Sequence, residues 1–529
     1  MAGERACHTA AVWAAVRAYA EEKGLRVLWL TRTASQIAHV SSETGCFPVY
    51  GRRLLCLHET VSQVELRRFN AACRATRMSQ RCVYYPGRPR VAREKTVGGL
   101  KDLGRRFTTC PYEIQAASIP SSKALAATHR QLSVIGWLLS KWRWSREKTI
   151  MVIDEAQSII KNALEMTKDS ISLKTLARAA REASRHGFRE MAYRLNEAVE
   201  KYSQMVVDGE TEVDDLLPDA DELEAVGEEI QLAKLRDNIV PASHVLTVAD
   251  FKIALGGQKP LLVREGGKVW LDALADPAKE LGRVYEGWNT AVIMSATIDA
   301  ELLERLTGRD VVLLRAGWPF QEDALKAYIV KGMTTRYPER DEQLYEDAAW
   351  LIRQLAGKGR LLVFTPSYEI LEEVRRRCEG LPMACEASGM GQEEAEQVAS
   401  DFTGGSKNIL MTVFGGRMSE GVDLPADFVL LVGVSFARPT PRSRKLLQTL
   451  RTLSEDAWLH GVVLPALYTA VQAAGRAIRG SEDRAVILMA DNRYPGLLKH
   501  MPRWFRERVA ETLKLPDLPI MLEEAGRHG

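Results

Sequence analysis

The sequence predicts an α/β protein built on buried parallel strands, and three observations carry the prediction. Residues 10–23 alternate apolar and polar groups at helical spacing, Gly24 ends the run, and RVLWLT at 26–31 follows as a short buried strand. Strands of the same apolar kind recur at 149–153 (TIMVI), 291–294 (AVIM), 360–364 (RLLVF), 409–413 (ILMTV), 428–434 (FVLLVGV) and 485–490 (AVILMA). Continuous apolar strands of this type belong to parallel sheets covered on both faces. Polar residues follow several of them directly, and open α/β sheets bind ligands at the carboxyl ends of their strands.

The chain has 529 residues, enough for about three or four domains. Its 46% hydrophobic and 27% charged residues are an ordinary soluble balance. No apolar run is long enough for a membrane span, and the first residues lack the pattern of a signal peptide, so the cytoplasm is the expected compartment. Net charge is only +3, but it is unevenly spread. Residues 51–110 hold 14 Lys or Arg against 4 Asp or Glu, a stretch suited to phosphates. Residues 208–229 hold 11 acidic residues and no basic one, which reads as a solvated linker or helix face. Residues 161–245 are rich in Ala, Glu, Arg and Lys at helical spacing and are expected to form a helical insertion. Five of the eight cysteines fall between positions 46 and 110, a cluster that in a reducing compartment points to metal binding or catalysis.

Four strand ends carry candidate chemistry. In MVIDEAQSI (151–159) the strand runs into Asp154-Glu155. One acid there can hold Mg²⁺ and the other can activate water in a nucleotide hydrolase. Neighbours in a strand face opposite ways, so the pair can share a task only where the chain turns. The plain alternative is a pair of surface charges. Ser295 and Thr297 follow AVIM, where they can bond the Asp-Glu loop or simply form a turn and helix cap. GRMSEGVDLP (416–425) offers glycines and the acids Glu420 and Asp423. In QAAGRAIRG (472–480), Gln472, Arg476 and Arg479 recur at helical spacing and are expected on one face. There the arginines suit a γ-phosphate, or equally a basic face in solvent.

The order of these motifs closely resembles that of superfamily 2 helicases. DEAQ, SAT, LVFTPSYE (362–369), SEGVDLP and QAAGRAIR each follow a strand, in one order. The specific likeness is to the XPD family, with the bacterial DinG type as its relative. It implies two RecA-like lobes with parallel sheets, and in the first lobe an iron–sulfur insert and a helical arch insert. The implied division is 1–45, 114–160 and 246–317 for lobe 1, 46–113 for the cluster domain, 161–245 for the arch and 318–529 for lobe 2. LWLTRT (28–33) is similar to the motif that sets Arg32 and Thr33 by the DNA backbone. By the same resemblance, a [4Fe-4S] cluster sits on Cys56, Cys73, Cys82 and Cys110, the last in the family's Cys-Pro-Tyr string. The spacings of 17, 9 and 28 residues are not those of a zinc ribbon with paired knuckles, though zinc stays as the alternative. Cys46 lies upstream of the matching string and reads as a non-ligand. Tyr84 and Tyr85, among the basic residues, suit stacked bases.

The implied activity is an ATP-dependent DNA helicase, 5′ to 3′, acting in repair on single-stranded or forked DNA, as a monomer, with repair proteins as possible partners. ATP and Mg²⁺ would lie between the lobes. Asp154 would hold the ion, Glu155 would activate water, and Gln472, Arg476 and Arg479 would face the phosphates. Ser295, Thr297, Glu420, Gly421 and Asp423 would line the nucleotide. Two departures stand out. Gln157 replaces the family's His after Asp-Glu-Ala and keeps one hydrogen bond of that link. At the start, Cys7-His8-Thr9 occupies the place of Gly-Lys-Thr in the phosphate-binding loop, so only Thr9 remains as a Mg²⁺ ligand. Three explanations stay open: a fragment or misplaced start, a paralogue without ATP turnover that binds DNA or scaffolds, and a partial loop that still works. No further acidic metal motif supports a nuclease.

Overall fold

A computed structural model describes residues 8–63, 66–78, 80–85, 87, 89, 91, 94–156, 167–206, 209–237, 242–276, 282, 284–295, 300–315, 320–419, 424–437, 439–478, 480 and 482–519. The first sheet joins β1 (Arg26–Thr31), β2 (Phe47–Pro48), β3 (Ala124–Thr128), β4 (Thr149–Ile153) and β9 (Thr290–Ile293) in the order β2-β3-β1-β4-β9, all parallel. Every residue of β4 is buried, as are Val27–Thr31 of β1. The helix His8–Lys23 feeds β1 through Gly24, whose φ of +64° makes the tight reversal that a side chain would strain.

The second sheet has seven parallel strands: β10 (Leu325–Lys331), β11 (Leu361–Thr365), β12 (Met383–Cys385), β13 (Ile409–Val413), β14 (Phe428–Val432), β15 (Ala485–Ala490) and β16 (Val509–Lys514), in the order β12-β13-β11-β14-β15-β10-β16. One apolar core lies on each face of it. The two sheets are the RecA-like lobes that the motif order implies. Cys378 is fully buried on the second of these faces, and Cys385 packs beside it.

Between the parts of the first lobe lies a separate unit with its own core. It was expected to be helical over 161–245. Instead it combines the helices Leu173–Arg185, Arg189–Gln204, Ala220–Arg236 and His244–Leu255 with an antiparallel sheet. The strands are β5 (Thr167–Ser172), β6 (Gly209–Glu212), β7 (Leu261–Glu265) and β8 (Lys268–Leu274), in the order β5-β8-β7-β6. The unit therefore reaches Leu274, about thirty residues past the expected boundary, because β8 pairs with β5 rather than with the lobe 1 sheet. The acidic stretch contributes β6 and the start of the helix Ala220–Arg236, with Asp221 and Glu222 in its first turn, where the helix dipole favours negative charge.

One element ties three units together. The helix Pro441–Leu453, from the second half of the chain, buries Leu446 and Leu450 in the lobe 1 core beside Trp142, Trp144, Leu302 and Leu303. At its start Arg442 bonds Asp272 of β8 and stands 3.1 Å from Glu210 of β6. The Asp272 side chain is 2% exposed, so its charge depends on this partner. Replacing Arg442 with Ala leaves that carboxylate uncompensated and is expected to cost about 3 kcal/mol. The loss is read as a lower urea midpoint; an unchanged midpoint would show the pair to be dispensable.

Candidate active site at the strand ends

The centre of the first lobe is the carboxyl end of β4, where β1 and β9 hold the chain from both sides. The Asp154 amide donates to the Leu30 carbonyl at 2.9 Å, and the Met294 amide donates to the Ile153 carbonyl at 2.8 Å. The Ala156 amide then crosses to the Met294 carbonyl at 3.0 Å. Between these anchors Glu155 adopts φ +51°, the left-handed region that non-glycine residues rarely enter. This is the turn at the strand's end that a shared task for adjacent acids would require. The Glu155 amide donates to Asp154 Oδ1 at 2.9 Å. Burial and the neighbouring Glu155 charge push Asp154 up to about 6.

Two residues not expected from the sequence complete this corner. His129, at the end of β3, is buried and bonds the backbone of Leu30 and Asp154; burial pulls it down to about 4, so it is neutral at pH 7. Gln36 donates from Nε2 to Glu155 Oε1 at 2.9 Å. Its carbonyl accepts from the amides of Arg32 and Thr33 at 3.1 and 3.0 Å. Thr33 caps the helix Ala34–Thr44, closing a capping box with Gln36. The Thr-x-x-Gln spacing at 33–36 is the sequence signal for this contact. Arg32 and Thr33 thus sit together at the carboxyl end of β1, both partly exposed.

Thr9 lies in the first turn of the helix His8–Lys23, which precedes β1. Ser295 lies two residues past the end of β9, next to Met294, whose carbonyl accepts the Ala156 amide of the Asp-Glu turn. Gln157, Thr297, Glu420, Gly421, Asp423 and Arg479 lie outside the described residues, as does Cys7. Gln472 sits in the last turn of the helix Leu464–Ala474. The helical face expected across 472–479 is not continuous, because the helix closes at Gly475 and Arg476 follows in a turn, its amide on the Ala473 carbonyl at 3.2 Å. Both Gln472 and Arg476 are partly exposed.

The cysteine segment folds against the first lobe. Cys56 closes the helical turn Arg52–Leu55, Cys73 lies on the helix Leu66–Met78, Cys82 opens a turn, and Cys110 precedes the helix Pro111–Ser118. The Cys110 amide donates to the Tyr84 carbonyl at 2.7 Å, which fixes the Cys82 turn on the Cys110 strand of chain. None of the four is in a disulfide, and all are partly exposed. Burial raises Cys56 and Cys110, and Cys73 and Cys82 add to the shift at Cys56. Among the described residues, no three His, Cys, Asp or Glu side chains form a group able to hold an ion as they stand. Cys46, by contrast, is fully buried in the lobe 1 core, and burial pushes its thiol up to about 11. Around the four thiols the Arg52 guanidinium reaches Cys73 Sγ at 3.8 Å and stacks over Tyr112, while Arg77 stacks over Tyr85 at 3.8 Å.

Comparisons with known proteins fit this geometry. A family model described as DEAD_2 matches residues 27–176, and one described as the helicase C-terminal domain matches 352–508. The ATP-dependent DNA helicase CHL1 of Eremothecium gossypii is 23% identical over 567 residues, covering 89% of this chain and 70% of that protein. The ATP-dependent DNA helicase XPD of Sulfolobus acidocaldarius is 24% identical over 433 residues, covering 75% and 74%. A solved XPD helicase structure superposes with a TM-score of 0.68 at 18% identity over 92% of this chain and 91% of that one. The S. tokodaii Xpd4 structure gives 0.62 at 18% over 94% and 93%. Two parallel-sheet lobes, each matched by its own helicase model, make this a superfamily 2 helicase architecture. Within that class, the relatives and solved structures it resembles include XPD helicases. No helix among its described residues is long and apolar enough to cross a membrane.

The raised Asp154 has a stability consequence with a definite sign. The folded protein holds this proton more tightly than the unfolded chain does. Asp154 therefore lowers stability as pH climbs from its ordinary 3.8 to about 6, and the loss is complete above that window. Asp154→Asn is expected to stabilise the protein at pH 7 in EDTA by about 1–3 kcal/mol, with the gain vanishing below pH 4. Urea midpoints at the two pH values measure it, and a destabilised variant at pH 7 would refute the buried-charge account.

Proposed function

We propose that the chain is an ATP-dependent DNA helicase of the XPD type that moves 5′ to 3′ along single-stranded DNA and acts on single-stranded or forked substrates in repair. The observation that carries the reading is the Asp154-Glu155 pair, turned out of the carboxyl end of β4 with Glu155 in the left-handed region. In this reading Asp154 holds Mg²⁺, which also restores its ionised form, and Glu155 orients the attacking water. Thr9 is a further Mg²⁺ ligand. Ser295, Thr297, Glu420, Gly421 and Asp423 line the nucleotide, and Gln157 links its state to the DNA. Gln472, Arg476 and Arg479 face the γ-phosphate from lobe 2, where arginine stabilises the transferring charge. Arg32 and Thr33 contact the DNA backbone.

Cys56, Cys73, Cys82 and Cys110 hold a [4Fe-4S] cluster, whose role here is to fold the insert. The donor set suits it: four free thiols, of which Cys73 and Cys82 lie near enough to Cys56 to raise it, and the Cys82 turn is bonded to Cys110 through the Tyr84 carbonyl. A cluster places its own iron and sulfide between its ligands, so the thiolates need not meet as they would round one zinc ion. The mixed unit from Thr167 to Leu274 takes the arch role. A second reading has one observation in its favour. Cys7-His8 in the place of Gly-Lys removes a phosphate ligand, which fits a DNA-binding protein without ATP turnover.

ATP hydrolysis with Mg²⁺ and single-stranded DNA decides between them. Turnover is expected to exceed that of Glu155→Gln by about a hundredfold or more; equal rates, with DNA binding indifferent to ATP, select the second reading. Anaerobically purified protein is expected to be brown and to contain iron and sulfide, and Cys110→Ser to lose both. A colourless protein with stoichiometric zinc would overturn the cluster.

A further inference from the structure

We propose that Gln36 is a positioning residue that carries the state of the DNA-contacting turn, Arg32-Thr33, to the Glu155 carboxylate. The inference rests on the ATPase reading of Glu155 and adds a route by which bound DNA regulates it.

A capping-box glutamine normally spends its carbonyl on the helix start and leaves its NH₂ to solvent. Here both ends are engaged. The carbonyl accepts two amides, those of Arg32 and Thr33, and the NH₂ donates to Glu155 Oε1 at 2.9 Å. The orientation of the amide follows from its partners. Reversing it would set donors against two N–H groups and an acceptor against a carboxylate. The planar amide is therefore a rigid bridge between two ends of neighbouring strands. One end is the turn after β1; the other is the left-handed turn after β4. Neither turn can shift alone, because the Asp154 amide is pinned to Leu30, two residues before Arg32.

The Arg32 and Thr33 amides that Gln36 accepts lie in the turn between β1 and the helix Ala34–Thr44, where backbone N–H groups can also bond a strand phosphate. A strand phosphate drawing on the Arg32 and Thr33 amides competes with the Gln36 carbonyl. Loss of those two bonds frees the amide to rotate and releases Glu155. Without DNA, the same bridge holds Glu155 docked against the helix Ala34–Thr44. Strand contact and water activation are thereby linked through one side chain, and binding linkage of this kind is commonly worth about 5–150-fold.

The full chain tests this through Gln36→Ala. The ratio of ATP turnover with and without a single-stranded oligonucleotide is expected to fall about fivefold or more, because kcat without DNA rises toward the DNA-bound value while KM for ATP stays unchanged. A residue that merely caps a helix would lower Tm and leave the ratio intact, and that outcome overturns the proposal. A second measurement needs no turnover. Tm values of wild type, Gln36→Ala, Glu155→Ala and the double variant form a cycle, run with and without the oligonucleotide. Non-additive losses without DNA that become additive with it are expected. The same coupling in both conditions, or none in either, overturns the relay. Wild-type turnover no greater than that of Glu155→Gln would sink the ATPase reading instead, and the cycle would still decide the contact.

Discussion

The structure depends on one constraint: β4 is buried on both faces between β1 and β9, so it can present polar groups only where it ends. Its five residues are Thr149 and four aliphatic or sulfur side chains, and each lies in the core. Parallel pairing in register brings Leu30 beside Ile153 and Val152 beside Val292. The two strand ends therefore reach the edge together, and the first backbone groups beyond them bond across. Asp154, Ser295 and the Arg32-Thr33 turn come from stretches more than a hundred residues apart, yet this register places them at one rim.

What stands at that rim is costly for the fold by itself. Glu155 holds a left-handed backbone, which costs on the order of 1–3 kcal/mol for a residue with a Cβ. Asp154 is buried enough to resist ionisation, next to a second carboxylate. The surroundings offset part of this with directed bonds: the amide of Glu155 on Asp154, Gln36 on Glu155, and neutral His129 on the backbone of both strands. A site that the fold satisfies only in part is one that a cation can complete.

The lobe strands were legible because their burial on both faces leaves an unbroken apolar run. The strand from Arg26 to Thr31 and that from Thr149 to Ile153 fall where the sequence puts them. The insert was misread for the opposite reason. Its strand β6, Gly-Glu-Thr-Glu, has no apolar residue, and β5 carries only Ile171. Neither has a period to read, and both are strands only because β7 and β8 pair with them. The hairpin of β7 and β8 did carry a signal. Gly266 and Gly267, both at positive φ between two apolar runs, are the residues a two-residue turn requires. At the site, the acids and cysteines stood out by type, whereas Gln36 and His129 are ordinary residues whose role comes only from what the fold sets beside them.

The helix Pro441–Leu453 complicates the picture of two lobes joined by a linker. Its chain neighbours, β14 and β15, pair side by side in the second sheet, yet Leu446 and Leu450 lie in the core of the first. Arg442, on the same helix, holds the insert through Asp272 and Glu210. By packing, this helix belongs to lobe 1 and its insert. A rotation of the second sheet against the first cannot carry the helix along without opening an apolar core and unpairing a buried carboxylate, and both penalties are large. The motion must then be absorbed on either side of it. On one side the chain leaves β14 through Gly433, at φ +83°; on the other it re-enters through the π-helical turn Leu459–Val463. The helix Leu464–Ala474, which carries Gln472 in its last turn, begins at that turn. Any rotation of the second sheet against the first would therefore reach Gln472 and Arg476 through a segment anchored at its far end to the lobe that bears Asp154.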